Sequence, residues 1–248
     1  MTNNIYFIAN WKMYGSTSSL NSLNKLINLS KLKKYRSAKI IYFPPFTLIQ
    51  NFISKFKRSK ISVGGQNCHY IQEYGSFTGS ISPKMLKDLG CKYVIIGHSE
   101  NRTAGETDIQ INKKVLSALN KKLKVVFCIG ETAIEKRKKI THSVLKRQIY
   151  KGLQGVKNYQ NILIAYEPVW SIGTGIIPKD KELELNIHKI KKLISDKTKK
   201  KLPILYGGSV NNKNISNLKK IIGIKGFLVG SASQSSKKFV DIIKKTIN

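Results

Sequence analysis

Residues 162–175 read ILIAYEPVWSIGTG. The apolar start of this stretch predicts a buried strand, which Pro168 ends because proline has no N–H to donate to a β-ladder. Glu167 is then a lone carboxylate at a strand end, followed by a short loop with two glycines. Such a carboxylate, beside a loop that can fold over it, is a candidate general base under a lid. The other interpretation is a surface acid before a glycine-rich turn, and the stretch taken alone favours it.

Short apolar runs of this kind occur eight times, separated by polar, lysine-rich stretches with helical spacing. The runs lie at residues 5–9, 40–43, 61–63, 93–96, 125–129, 162–165, 204–206 and 227–229. Eight units in 248 residues average about 31 residues each, the size of a strand–helix repeat. Alternating strands and helices form parallel sheets, so the pattern predicts an α/β fold, a closed (β/α)8 barrel rather than an open sheet. Because no linker or break in composition divides the chain, residues 1–248 are predicted to form a single domain.

The charge of the chain is strongly positive. There are 45 Lys and Arg against 13 Asp and Glu, which gives a net charge of +32. Such a balance raises the question of nucleic-acid binding. The lysines are spread through almost every predicted helix, however, and Lys, Ile and Asn are abundant together, which indicates a compositional bias. We therefore expect no specific nucleic-acid partner, although the positive field should attract anionic substrates.

The sequence lacks the features of membrane and secreted proteins. No apolar run approaches the ~20 residues that a membrane-spanning helix needs. Residues 1–4 lead into the first predicted strand without the basic start and apolar segment of a signal peptide. Cys68, Cys91 and Cys128 are an odd number without metal-binding spacing, which is typical of reduced thiols. We expect a cytoplasmic protein with no membrane contact and no metal.

Candidate functional residues follow the predicted strands, because the carboxyl ends of the strands carry function in such barrels. The first run ends in Asn10-Trp11-Lys12, and two-residue alternation predicts that Asn10 and Lys12 both face the barrel mouth. The fourth run ends at His98, where strand gives way to helix, and a helix N-terminus favours the neutral imidazole. Glu100 lies on the same rim and could pair with Lys12. Each of these residues alone could equally be a surface lysine or a structural histidine.

Glycine-rich turns follow the seventh and eighth runs, at residues 207–209 and 230–231. Such turns hold phosphate in many barrels of this kind, through backbone N–H groups. A carboxylate, a neutral histidine and a cation around a phosphate site suit proton transfer beside a carbonyl.

Together these motifs closely resemble the triosephosphate isomerase family over essentially the whole chain. The matching motifs are Ala9-Asn10-Trp11-Lys12, Ile96-Gly97-His98-Ser99-Glu100, Cys128-Ile129-Gly130-Glu131, residues 165–175 and Tyr206-Gly207-Gly208-Ser209. The resemblance implies a TIM barrel that interconverts dihydroxyacetone phosphate and D-glyceraldehyde 3-phosphate through an enediolate, in glycolysis and gluconeogenesis. It also implies a cytoplasmic homodimer that needs no cofactor and no metal.

The resemblance assigns catalytic roles to Glu167, His98 and Lys12, and substrate binding to Asn10 and Lys12. Glu167 takes a proton from one substrate carbon and returns it to the next, while His98 polarises the carbonyl and moves protons between the two oxygens. Lys12 offsets the charge of the phosphate and of the developing oxyanion, and Asn10 hydrogen-bonds the reacting oxygens. A glutamate base beside a neutral histidine under a closing loop is the known arrangement of this family, and the resemblance alone brings it to these residues.

Other residues are implied to bind the substrate or to support the site. The backbone N–H groups that hold the phosphate are those of Gly173, Ser209, Gly230 and Ser231. Loop 168–175 closes over the intermediate, excludes water and suppresses loss of phosphate. The supporting contacts are Glu100 to Lys12, Trp170 to Glu131, Tyr206 and Ser209 to the far end of the loop, and Thr78 to the partner's Asn10 and the partner's Lys12.

The sequence also departs from the family pattern. Asn101 stands where an arginine is expected, and residues 98–106 are one residue shorter than usual, so interface salt bridges cannot be transferred. Residues 176–178 read Ile-Ile-Pro where many relatives have Lys-Thr-Ala, and Pro178 lacks the N–H that Tyr206 would otherwise bond. Ser231 replaces a common glycine and keeps its N–H for phosphate, provided that its backbone avoids glycine-only angles.

Three alternatives compete with an active isomerase. Another barrel that handles sugar phosphates is disfavoured by the full set of motifs. A basic barrel that binds nucleic acid lacks an aromatic–basic stripe or any nucleic-acid motif. A catalytically inactive scaffold is disfavoured because Asn10, Lys12, His98 and Glu167 are all present.

Overall fold

Eight parallel strands form a closed barrel in chain order in the computed structural model, which describes residues 4–248. The strands are β1 (Ile5–Asn10), β2 (Ala38–Phe43), β3 (Ser62–Gly65), β4 (Tyr93–Ile96), β5 (Lys124–Ile129), β6 (Ile162–Tyr166), β7 (Ile204–Tyr206) and β8 (Ile224–Val229). The predicted (β/α)8 barrel is confirmed, and each predicted run overlaps one strand. Residues 1–3 of the predicted domain 1–248 lie outside the described residues, so its bounds remain a prediction.

Ten α-helices surround the barrel within residues 4–248. They are α1 (Asn24–Lys31), α2 (Ile49–Phe56), α3 (Pro83–Asp88), α4 (Ser99–Thr103), α5 (Asp108–Asn120), α6 (Ala133–Arg137), α7 (Thr141–Gly152), α8 (Asp180–Thr198), α9 (Ile215–Leu218) and α10 (Ser236–Ile247). Local signals set their starts: the Ser82 hydroxyl accepts the Met85 N–H before Pro83 begins α3, as helix-capping preferences predict. In the part of the chain that the structure describes, no helix is long and apolar enough to cross a membrane.

Two buried cores lie on opposite faces of the sheet. Alternate residues of each strand point inward or outward. In β5, for example, Val126 and Cys128 belong to the inner core, whereas Val125 and Phe127 pack outward beneath the helices. The inner core takes side chains from seven of the eight strands: Ile8, Ile41, Phe43, Tyr93, Ile95, Val126, Cys128, Leu163, Ala165, Leu205 and Leu228.

The inward alternation places the candidate base at the mouth of the barrel. Leu163 and Ala165 of β6 point inward, so the next residue in the two-residue period is Glu167, just beyond the strand. In β1 the same period runs from Ile8 to Asn10. Both Glu167 and Asn10 line the cavity at the carboxyl ends of the strands.

Candidate active site

A cavity of about 260 Å³ opens at the carboxyl ends of the strands. It is lined by every residue to which the sequence assigned a catalytic or substrate-binding role: Asn10, Lys12, His98, Glu167, Gly173, Ser209, Gly230 and Ser231. These residues come from the ends of five strands and from the loop after β6. Their convergence in one cavity supports the predicted site, while the role of each residue remains a prediction.

Glu167 and His98 face each other on the floor of this cavity. Glu167 Oε1 lies 3.2 Å from His98 Nε2, and both side chains are buried. His98 is the N-cap of α4, and its Nδ1 accepts the Glu100 backbone N–H at 3.2 Å. A ring nitrogen that accepts a hydrogen bond carries no proton. The Glu100 carboxylate is more distant from Nδ1, at 3.5 Å. We therefore assign a neutral imidazole with its proton on Nε2, which faces Glu167 and the cavity.

The Glu167 side chain is held between neighbouring strand ends. Its backbone N–H donates to the carbonyl oxygen of Ile129 at 2.8 Å, which continues the β5–β6 ladder. A Cβ at Gly207 would lie 2.8 Å from Glu167 Cγ, so only glycine leaves room for the carboxylate there. Beneath it lies the Cys128 thiol, whose pKa is raised by burial and further by the Glu167 carboxylate. Cys68, Cys91 and Cys128 are all free and buried, in agreement with the predicted reduced thiols.

Lys12 lines the cavity, but strand alternation does not explain its position. Strand β1 ends at Asn10, and Lys12 has a φ of 54° in the left-handed region, so its position is set by a turn and not by strand geometry. Its N–H donates to Asn10 Oδ1 at 3.1 Å, and its carbonyl accepts from Gln66 Nε2 at 2.8 Å. The predicted pairing with Glu100 is present, with Lys12 Nζ at 2.7 Å from Oε1.

Gln66 is a supporting residue that the sequence pattern did not single out. Its side-chain amide donates to the carbonyl oxygens of both Lys12, at 2.8 Å, and Phe43, at 2.9 Å. It therefore ties the turn that carries Lys12 to the end of β2. The available signal was its place directly after β3, at the functional end of the barrel.

The loop after β6, residues 168–175, is called the lid. Near its start it is hydrogen-bonded to Glu131, as predicted. Trp170 Nε1 donates to Glu131 Oε1 at 2.8 Å. Glu131 is fully buried, and burial raises its pKa above the ordinary 4.5, although hydrogen bonds from Trp170 and Tyr166 lower it. Lys136 Nζ lies 3.4 Å from the centre of the Trp170 ring, within reach of a cation–π interaction.

The other supporting contact of the lid differs from the prediction, which placed Tyr206 and Ser209 against the far end of the loop. They contact Ser171 instead, near its start: the Tyr206 hydroxyl lies 3.1 Å from Ser171 Oγ. Pro178 has no N–H to donate to the Tyr206 hydroxyl. Burial raises the pKa of Tyr206 to about 12, so the hydroxyl keeps its proton at neutral pH.

The turns after β7 and β8, at Gly207-Gly208-Ser209 and Gly230-Ser231, line the cavity. Ser231 begins a short 3-10 helix, Ser231–Gln234. Its backbone is not left-handed, since the residues of 4–248 other than glycine with positive φ are Lys12, Lys122, Lys139 and Lys199. Serine thus keeps its N–H without glycine-only angles. No group of three or more His, Cys, Asp or Glu side chains in the described chain is arranged to hold a metal ion.

Thr78 lies apart from this cavity. It is exposed on the loop between β3 and α3 and does not line the cavity. Residues 98–106, the segment that is one residue shorter than usual, contain Arg102. Its side chain bonds within its own subunit: it donates to the Gly97 carbonyl at 2.8 Å and forms a salt bridge with Asp108 at 2.7 Å.

A closed eight-stranded parallel barrel, with a carboxylate–imidazole pair in a cavity at the carboxyl ends of its strands, places the chain in the class of (β/α)8-barrel enzymes. A family model described as Triosephosphate isomerase matches residues 5–246. The chain therefore belongs to the triosephosphate isomerase family. This result confirms the resemblance seen in the sequence, together with the isomerase class and the family function that it implied.

Individual relatives agree with this assignment. The chain is 42% identical over 244 residues to a triosephosphate isomerase of Dictyoglomus thermophilum, which covers 95% of this chain and 97% of the relative. A relative of the same name from Zygosaccharomyces bailii is 38% identical over 248 residues, with 98% of each chain covered. The crystal structure of triosephosphate isomerase from Bartonella henselae superposes with a TM-score of 0.88 at 32% identity and covers 98% of both chains.

Proposed function

We propose that this chain interconverts dihydroxyacetone phosphate and D-glyceraldehyde 3-phosphate by proton transfer through an enediolate. The observation that carries the proposal is the 3.2 Å approach of Glu167 Oε1 to His98 Nε2. This pair lies in a cavity that also holds the Lys12 ammonium and the turns after β7 and β8. A base, a hydrogen-bond donor and an anion site then surround the same substrate.

The Glu167 carboxylate removes a proton from the carbon next to the substrate carbonyl. The electron pair of the broken C–H bond forms a C=C bond, and the carbonyl oxygen becomes the enediolate oxygen. His98 Nε2–H donates a hydrogen bond to that oxygen and moves a proton between the two oxygens, because a neutral imidazole both gives and accepts a proton. Glu167 then returns its proton to the neighbouring carbon, which completes the isomerisation without a cofactor.

Lys12 and Asn10 stabilise the charge that develops on the oxygens. The backbone N–H groups of Gly173, Ser209 and the 230–231 turn bind the phosphate, which the positive charge of the chain helps to attract. Closure of the lid excludes water. It also holds the phosphate in place while the enediolate exists, since an open site would let the intermediate expel phosphate.

We also propose that the protein is a single-domain homodimer in the cytoplasm. Large apolar side chains are exposed around the β3–α3 loop and after β1, notably Met13, Tyr14, Tyr74 and Phe77. Exposed apolar groups of this size favour an interface. In the dimer Thr78 would approach the partner's Asn10 and the partner's Lys12. The free, buried cysteines support a reducing compartment.

A coupled assay with both triose phosphates tests the function. Glu167→Gln keeps the size of the side chain and removes the base, so kcat should fall by more than about a hundredfold, the low end for general-base catalysis. Glu184→Gln, on α8 away from the cavity, makes the same chemical change and serves as the matched control. A smaller loss at Glu167, or no activity in the unaltered protein, contradicts the proposal.

A further inference from the structure

The Arg102 guanidinium joins the ends of the neighbouring strands β4 and β5. Its Nε donates to the Gly97 carbonyl oxygen at 2.8 Å, and its Nη2 donates to the Cys128 carbonyl oxygen at 3.2 Å. Its Nη1 donates to Asp108 Oδ1 at 2.7 Å, and the side chain is only 16% exposed. The donors of a guanidinium form a rigid planar fork, so these bonds fix where the three acceptors lie relative to one another.

Arg102 also holds both carbonyl groups that flank the His98 Cα. The Gly97 carbonyl belongs to the peptide group that precedes this Cα, and it accepts from the Arg102 side chain. The His98 carbonyl follows the Cα and accepts the Arg102 backbone N–H at 3.0 Å. Because both peptide groups are held, the direction in which the His98 ring leaves the backbone is held too. This direction matters because Nε2 lies 3.2 Å from Glu167 Oε1.

The backbone at Gly97 requires such a restraint. Its φ is 76°, in the left-handed region, which glycine adopts readily but with more conformational freedom than any other residue. A Cβ at this position would lie 3.1 Å from both Arg102 Nη2 and the Cys128 carbonyl oxygen. Glycine therefore leaves room for the guanidinium, and the guanidinium limits the motion of the glycine. The Cys128 side chain lies against Glu167, so the same fork reaches the strand ends beside both members of the catalytic pair.

We propose that Arg102 is a positioning residue that keeps the His98 imidazole aligned with the substrate oxygens. The inference rests on the proposed function, in which His98 Nε2–H serves those oxygens. Arg102 itself does not line the cavity. Its side-chain bonds within residues 4–248 go to three groups that are not part of the proposed phosphate site. Loss of the fork should therefore lower kcat and leave substrate binding nearly unchanged.

Arg102→Lys tests this role in the coupled assay. Lysine keeps the positive charge beside Asp108 but lacks the planar fork. We expect kcat to fall by about tenfold to a hundredfold, as for a catalytic group displaced by about 1 Å, while KM changes by less than about threefold. A kcat loss under about threefold, or a loss carried mainly by KM, overturns the proposal.

Arg147→Lys is the matched control. Arg147 Nε also bonds Asp108, at 3.1 Å, but its side chain is half-exposed. The same substitution there should leave kcat within about twofold of the unaltered protein, because exposed ion pairs contribute little. Equal kcat losses at Arg102 and Arg147 would trace the effect to the shared acid and overturn the positioning of His98.

Nitrogen NMR of isotope-labelled histidine gives a readout that needs no turnover. The chain has four histidines, and His98→Gln identifies the signals of His98. A single neutral tautomer gives separate signals for its two ring nitrogens, and Arg102→Lys should move these signals towards each other because a less fixed ring samples both tautomers. If triose phosphates are not turned over but this change is found, the proposed function fails and the positioning stands. Unchanged His98 signals in an active Arg102→Lys enzyme overturn the positioning.

Asp108→Asn separates positioning from stability. It removes the charged partner of both arginines, so the midpoint of denaturant unfolding should fall, whereas Arg102 keeps its two carbonyl bonds and kcat should stay within about threefold. A kcat loss as large as that of Arg102→Lys would show an effect of stability alone and overturn the proposal.

Arg102→Gln replaces Arg102→Lys should the lysine variant fold poorly. Glutamine is uncharged, its amide still donates to one carbonyl, and Asp108 keeps Arg147 as its partner. The loss should again fall on kcat, and a loss that falls on KM instead contradicts the proposal.

Discussion

Trp170→Phe removes one partly buried hydrogen bond of the lid. The substitution keeps an aromatic ring under Lys136 and removes the indole N–H that donates to Glu131 at 2.8 Å. A hydrogen bond to a charged group contributes about 1.5–3 kcal/mol. Without it, Glu131 retains a backbone hydrogen bond and the bond from the Tyr166 hydroxyl, which lies 3.1 and 3.3 Å from its two carboxylate oxygens. We therefore expect the free energy of unfolding to fall by about 1.5–3 kcal/mol at neutral pH.

The size of this loss should depend on pH. The pKa of Glu131 in the folded protein lies above the ordinary 4.5 because of burial, so folding takes up a proton between the two pKa values. Stability due to this group is therefore highest at low pH and declines as the pH rises through the folded-state pKa. Removing the indole N–H raises the folded-state pKa further and extends the decline. The variant should consequently lose less stability at about pH 5 than at about pH 8.

Denaturant unfolding followed by circular dichroism, at one protein concentration, measures both effects. The matched control is Trp11→Phe, the chain's other tryptophan, whose indole N–H donates to the neutral carbonyl of Ser233 at 3.0 Å. The control loses its hydrogen bond and also part of a fully buried ring, so its loss should exceed about 1 kcal/mol but be the same at both pH values. A loss below about 0.5 kcal/mol for Trp170→Phe, or one that does not change with pH, would refute this account of Glu131.

Three further predictions concern the catalytic pair, the Lys12 turn and the subunit interface. His98→Gln removes the imidazole that moves protons, so kcat should fall by about a hundredfold to a thousandfold in the coupled assay, and a loss under tenfold would contradict the role. Gln66→Ala frees the left-handed turn of Lys12 and should lower kcat/KM by about tenfold, with circular dichroism unchanged; unaltered kinetics would remove Gln66 from the site. Phe77→Asp should dissociate the dimer and abolish most activity, and sedimentation that finds an active monomer at the assay concentration would disprove the need for a partner.

Much of the barrel could be predicted from the sequence, because each strand is a short apolar run and a period of two brings Asn10 and Glu167 to the mouth. Glu167 follows Leu163 and Ala165 in that way. The position of Lys12 did not follow, since its left-handed backbone breaks the period. Gln66 and Ser171 were missed for another reason. Their partners are main-chain or hydroxyl groups that are distant in sequence, and such groups leave no pattern in the residues themselves.

The pairing of β1 with β8 also constrains how the enzyme is made. Tyr6 to Ala9 of the first strand hydrogen-bond with Gly226 to Val229 of the last. A nascent chain synthesised only through β7 already contains Lys12, His98 and Glu167, but its inner core remains open along one side and its site lacks Gly230. Contacts so distant in sequence form late in folding. The ribosome therefore releases a catalyst only after the final strand is available, and shorter translation products should carry no activity.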